Sequence, residues 1–425
     1  MVGSREDESF ENCRAIILSK IPAASVLLEG VEDWPDDVDS QIPSAFMKNL
    51  FVGESSGPII PKQSEESMDN YYLRIRKFIF LLSRVGILRS LRETSCETID
   101  GEVKVTFTLL SQNNNCDDVV RLTLGWLFSD LSISFLEKEP VMVDLLADSQ
   151  NEESHADEAS PTASTELVEF ASMGDKVVCD KKTGTVSFLC LRKNANSKYF
   201  NTDTPYDLVT TGHAFSKVGE SVVCGVTNAI LVAPKFEELV TPRHDFAVCE
   251  ITDKIRDDIS KSIQSRQING KSVAITEVTT DCNSVTIGPS NKITIFLGTD
   301  ASKIRSKPVF LLGSRTKSIG ELRGFADRYP QSALDAEPAH VKCKLSVCRG
   351  DSGGSVFSLE KDMRAFYLIG TVRLHVCLNC WTICTCTLEG QAIDVYLVRA
   401  ESIFKHHDVT NRWRSKSDTS FQVII

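Results

Sequence analysis

From about residue 175 onward the chain is a succession of short β-branched and aromatic runs set between turn residues: Thr185 to Leu191, Ser221 to Val226, Ser284 to Ile287, Lys292 to Leu297 and Tyr367 to Val372. Many short strands in series predict an antiparallel sandwich or barrel, because each run can hide its apolar face only by pairing with the others. The fold class expected for this part is mainly β.

The first half has a different texture. At 425 residues the chain is long enough for two or three domains. Helical patterns cover Glu11 to Ser19 and Asp69 to Leu91, a strand pattern covers Glu102 to Leu109, and Val119 to Val143 is left open between the two types. The stretch Tyr71 to Leu91 carries Ile75, Phe78, Ile79, Leu82, Val85 and Leu88 at helical spacing, and its five arginines and lysines exclude a membrane span. Residues 147 to 166 are acidic, contain no Lys or Arg and include a Ser-Pro-Thr run, the composition of a flexible linker. The expected organisation is an N-terminal domain of mixed helix and strand (1–146), the linker (147–166), and β domains at 167–300 and 301–425.

Charge divides along the same line. Residues 1–166 hold 30 Asp and Glu against 14 Lys and Arg, a net of −16, and residues 167–425 hold 28 against 33, a net of +5. This asymmetry suits docking of the acidic N-terminal region on the rest of the chain, or simply solubility. A total of −11 without a basic patch argues against a nucleic-acid partner. The charged, acidic start of the chain lacks the pattern of a secretory signal, so an intracellular, cytoplasmic location is expected.

Chemistry concentrates at Gly350-Asp351-Ser352-Gly353-Gly354. A serine hydroxyl is a poor nucleophile at neutral pH and needs a base, and the base needs a group to orient it. His213, in Thr211-Gly212-His213, and Asp245, in Asp245-Phe246-Ala247-Val248, fill those roles. The glycines let the backbone turn tightly and aim the amides of Gly350 and Ser352 at a developing oxyanion.

Together these segments resemble the chymotrypsin-like (trypsin-like) serine protease family. The apolar strand before His213, the strand after Asp245, the glycine-framed Ser352, and Asp394 to Val398 followed by a helix-like Arg399 to His406 occur in that family's order. The resemblance covers about residues 175–410. It implies two antiparallel six-stranded β-barrels with the triad in the cleft between them, hydrolysis of protein or peptide substrates by an acyl-enzyme route, and no metal or organic cofactor. It also implies a substrate pocket with Ser346 at its floor and with Arg349, Arg373 and His375 around it. The family commonly has Ser-Trp-Gly where this chain has Arg373-Leu374-His375. With Ser346 in place of a floor aspartate, specificity for Lys or Arg is not expected. No activation site that would free an apolar N-terminus for Asp351 is visible, so Asp351 needs another partner, a basic side chain or backbone amides.

Other readings compete. The serine run also fits the G-x-S-x-G pattern of α/β-hydrolases, with Asp394 and His406 or His407 as partners, but Ser355 to Leu359 reads as a strand where that pattern needs a helix. Cys377, Cys380, Cys384 and Cys386 have a spacing that suits zinc, and equally a strand with small apolar cysteines on one face. The resemblance places Cys348 and Cys377 where that family often has a disulfide; in a reducing compartment both would be thiols. A protein of another class, a protease-like binding or scaffold module without activity, is the alternative to an enzyme.

Overall fold

The computed structural model describes residues 62–84, 88–111, 120–148, 171–192, 206–251, 266–295, 308–329, 338–359, 365–377, 391–406, 412–413 and 420–424, less a number of positions inside these ranges. They fall into two units, Met1–Pro140 with Gly324–Ala339, and Val141–Arg323 with His340–Ile425. The helical pattern at Glu11 to Ser19 and most of the acidic stretch 147–166 lie outside the described residues.

In the first unit, α1 (Met68–Arg84) buries Tyr71, Tyr72, Ile75, Phe78, Ile79 and Leu82 along one face, as the helical spacing requires. The Ser67 hydroxyl accepts the Asn70 N–H at 3.2 Å at its start. The helix stops short of the Leu91 expected from periodicity. Leu88 and Leu91 keep the spacing and are both buried, but Leu88 lies in a turn, its N–H donating to Leu82 O at 3.2 Å, and Leu91 opens β1 (Leu91–Ile99). An Asp100-Gly101 turn with positive φ at both residues returns the chain into β2 (Glu102–Leu110), as two-residue hairpins prefer. β3 (Leu131–Leu136) lies parallel to β2, and Gly324 to Arg328 pair antiparallel with β1. Phe128 stacks on Phe107 at 5.9 Å and meets Phe78 edge-on at 6.3 Å.

An ion pair is sealed inside this unit. The Arg76 guanidinium binds both carboxylate oxygens of Asp327, with Nη2 2.7 Å from Oδ1, and the Tyr72 hydroxyl lies 2.8 Å from Oδ2. Arg76 and Asp327 are each about 1% exposed. Removing one member of such a pair strands the other charge in a dry interior.

The second unit begins with two short strands, β4 (Val141–Asp144) and β5 (Ala147–Asp148), so the acidic stretch starts in paired backbone. Seven strands follow: β6 (Lys176–Cys179), β7 (Lys182–Thr185), β8 (Phe188–Leu191), β9 (Tyr206–Thr210), β10 (Ser221–Cys224), β11 (Thr227–Phe236) and β12 (Asp245–Ile251). β7 runs on into β8 through Val186 and Ser187. Antiparallel pairing then closes a ring, β6 to β7 and β8, β9, β12, β11, β10 and back to β6, a six-stranded barrel. Its core includes Val177, Leu189, Leu208, Val222, Ala247 and Cys249.

Short strands β13 (Arg266–Ile268), β14 (Lys271–Val273), β15 (Glu277–Thr279), β16 (Ser284–Ile287) and β17 (Asn291–Ile295) precede the second barrel. That barrel comprises β18 (Pro308–Leu312), β19 (Lys317–Arg328), β20 (His340–Ser346), β21 (Ser355–Leu359), β22 (Ala365–Cys377) and β23 (Ala392–Arg399). Pairing runs β18, β19, β20, β23, β22, β21 and back to β18, a second closed ring. The expected architecture of two six-stranded antiparallel barrels is thus the observed one, preceded by a region holding both helix and strand.

Helix α2 (Ala400–Lys405) and β24 (Ser420–Ile424), which pairs with β8, complete the chain. β12 is buried at every residue instead of alternating, with His406 packed on Phe246 and Arg412 against Glu250. Glu250, on the outer side, meets Arg192 at 2.6 Å and Arg412 at 3.4 Å. Asp207 next to it takes hydrogen bonds from Arg412 and from the Trp413 ring N–H at 2.8 Å. Seven described cysteines are free thiols, six of them buried, and Cys348 is the half-buried one.

Replacing Asp327 by Ala removes the carboxylate that the buried Arg76 guanidinium binds, so the first unit should lose about 3–5 kcal/mol of stability. Amide hydrogen exchange in α1 and β1 should then accelerate by two or more orders of magnitude. Unchanged exchange there would show that the pair does not support the unit.

Candidate active site

β9 ends at Thr210, and the turn Thr211-Gly212-His213 brings the histidine beside the first residue of β12. Asp245 Oδ1 accepts the backbone N–H groups of Gly212 at 2.8 Å and His213 at 2.9 Å. Its Oδ2 lies 2.7 Å from His213 Nδ1, so Nδ1 carries a proton and donates it to the carboxylate. The Thr211 hydroxyl sits 3.2 Å from both carboxylate oxygens. Asp245 is almost wholly buried.

Arg373 approaches the same carboxylate from β22. Its guanidinium contacts Asp245 Oδ2 and His213 Nδ1, and its side chain is buried. Of the residues expected around a substrate pocket, it is the one placed against the buried aspartate. Burial alone would raise the Asp245 pKa, but the charges and hydrogen bonds of His213 and Arg373 outweigh it and hold the carboxyl well below the usual range.

Ser352 sits on a loop held from both barrels. Asp351 is buried, with Oδ1 accepting the N–H of Arg315 at 2.9 Å and of Thr316 at 3.1 Å, and Oδ2 that of Cys348 at 2.8 Å. Backbone amides therefore serve it. From the first barrel, the Thr185 N–H donates to Ser352 O at 2.8 Å, the Thr185 hydroxyl to Gly350 O at 2.7 Å, and the Ser187 hydroxyl to Gly353 O at 2.5 Å. Gly353 has φ +89°, and a β-carbon there would lie 2.6 Å from Thr185 O. No other residue fits this corner. The loop brings Ser352 Oγ to 3.1 Å from His213 Nε2.

The amides of Gly350 and Ser352 point at one backbone oxygen, Leu145 O, at 2.5 and 3.4 Å. The preceding Asp144 places Oδ1 2.8 Å from His213 Nε2. Sequence reasoning missed Asp144, Leu145, Thr211, Thr185 and Ser187. Thr211 stands in the run that carries His213, though nothing in that run assigns its hydroxyl a role; the other four belong to no motif, and only the fold brings them to the site. Of the other expected pocket residues, Ser346 ends β20 half-buried, with its carbonyl accepting the Ser318 hydroxyl at 2.7 Å. Arg349 is exposed. His375 is buried opposite Val143 of β4, and its pKa is pushed down to about 4 by burial.

The competing hydrolase arrangement fails on geometry. Ser352 is followed by the strand β21, not a helix. His406 packs on His244 and Phe246, His407 lies outside the described residues, and Asp394 pairs with Lys342 at 3.4 Å. For the zinc reading, Cys380, Cys384 and Cys386 lie outside the described residues; no group of metal-ligating side chains occurs among the described ones. Among the described residues no helix is long and apolar enough to cross a membrane.

Burial disfavours the charged form of His213, but Asp245's charge and the hydrogen bonds to Asp144 and Asp245 outweigh it and raise the pKa above the ordinary histidine value, with Arg373 opposing. Asp144 is lowered in turn: burial would raise it, but its bond to His213 dominates. Asp144→Asn removes one partner of the imidazolium, so His213 should lose its proton at lower pH. A ring-resonance titration by NMR reads this directly, and an unmoved midpoint would remove Asp144 from the electrostatics of the site.

No family model matches the sequence, and no curated protein matches it. Solved structures similar to it include a Nocardiopsis protease at 14% identity and TM-score 0.30, covering 55% of this chain and 94% of the other. Thermobifida fusca protease A matches at 12% and 0.30, over 55% and 93%. A Cellulomonas bogoriensis chymotrypsin matches at 11% and 0.28, over the same shares.

Proposed function

We propose that this chain is a serine endopeptidase acting through an acyl-enzyme. The observation that carries the reading is the line Asp245, His213 Nδ1, His213 Nε2, Ser352 Oγ, joined at 2.7 and 3.1 Å, beside two amides that converge on one carbonyl oxygen. Ser352 Oγ attacks the carbonyl carbon while Nε2 takes its proton, and Asp245 fixes the tautomer and stabilises the imidazolium. The amide N–H groups of Gly350 and Ser352 hold the oxyanion. His213 then protonates the leaving amine, and water hydrolyses the ester by the same steps in reverse order. Ser346, with no carboxylate at its position, supports a preference for residues other than Lys and Arg.

A fluorophosphonate probe should label Ser352 in the folded full-length protein. Labelling should vanish in Ser352→Ala and fall sharply in His213→Ala, with peptide hydrolysis reduced by about 10⁴-fold or more in both. Absence of labelling and of hydrolysis in every preparation would leave a binding module as the better reading.

A further inference from the structure

The segment Val141–Asp148 runs past Ser352 from β22 of the second barrel to β7 of the first. β4 runs antiparallel to β22 in the register Asp144 with Leu374, Val143 with His375 and Met142 with Val376. β5 then pairs antiparallel with β7, Ala147 opposite Thr183 and Asp148 opposite Lys182. Between these two pairings the Leu145 side chain is completely buried, and its carbonyl oxygen lies between the amides of Gly350 and Ser352. The Leu146 N–H donates to Asp144 Oδ1 at 3.0 Å.

A connecting segment could satisfy a carbonyl with any donor. This one uses the amide of the nucleophile itself together with that of Gly350, and strand pairing on both sides fixes which peptide bond is presented. A slip of one residue would turn every side chain to the opposite face and bring the Asp144 charge to the buried position of Leu145. Leucine therefore suits the position, and aspartate is kept half-exposed beside His213.

We propose that this segment is the chain's own substrate: Ser352 hydrolyses the Leu145–Leu146 peptide bond in cis, and the site takes leucine at the residue whose carbonyl is attacked. The proposal rests on the peptidase reading above. With His213 in its neutral form, Nε2 having given up the proton it shares with Asp144, Ser352 Oγ bonds to the Leu145 carbonyl carbon as its own proton passes to Nε2. The C–N bond breaks as that proton moves to the Leu146 nitrogen. Water, its proton taken by His213, then adds to the ester, Ser352 leaves with the proton, and Leu145 ends as a carboxylate. One water is consumed and no redox change occurs.

The test incubates freshly purified full-length protein, Ser352→Ala and Leu145→Ala over a range of concentrations. Cleavage is followed by intact mass and N-terminal mapping, with fluorophosphonate labelling and circular dichroism on the same samples. The expected result is two fragments with a new N-terminus at Leu146, formed at a rate independent of protein concentration. Ser352→Ala should remain whole, and folded Leu145→Ala should be cut about 10–200-fold more slowly. Protein that labels at Ser352 but stays intact, is cut at another bond, or is cut faster at higher concentration overturns the self-substrate assignment and leaves the peptidase reading standing. Cleavage of Ser352→Ala, or an undiminished rate in Leu145→Ala, overturns it as well. Neither labelling nor cleavage would remove both readings together.

Discussion

The hydrogen bonds between the β7–β8 corner of the first barrel and the loop carrying Ser352 are the constraint on which the rest of the site depends. Thr185 alone supplies an N–H and a hydroxyl to two carbonyls of that loop, and Ser187 supplies a third donor. In return the Ser355 hydroxyl donates to Ser187 O at 2.7 Å. All these groups are buried, where an unmatched polar atom is costly, so the corner and the loop adopt one relative position. Because β9, which leads to His213, pairs with β8, fixing that corner also fixes the distance from His213 to Ser352.

The second constraint is charge. Asp245 is held by two backbone N–H groups, an imidazole and a guanidinium, a set that makes burial of its charge tolerable. Asp351 has the same problem and meets it with three backbone amides. Arg76 and Asp327 solve it by pairing. In each case the acid sits deep because a specific donor set was built around it, and removing part of that set costs more than the set contributes.

The strand that precedes the first barrel does not stop at its edge. It pairs with β22 of the second barrel, passes Ser352 and pairs with β7 of the first. Strand pairing accounts for this path: β22 and β7 each offer a backbone edge, and an extended segment satisfies both.

Residue types and local spacing were enough to read several features. The glycine frame of Ser352, the strands after Asp245 and Ser352, the amphipathic face of α1 and the strand pattern of Glu102 to Leu109 all follow from periodicity and turn chemistry. These are local properties, determined by φ/ψ preference and by which face of an element is apolar. Tertiary structure alone decided that Leu91 belongs to a sheet, that Arg373 turns to Asp245, that Asp351 is served by amides, and that Leu145 O meets the amides of Gly350 and Ser352. Each of those depends on residues brought together from well over a dozen positions apart or on a competition between sheet and helix, and the energy of such contacts exists only once the two barrels have closed.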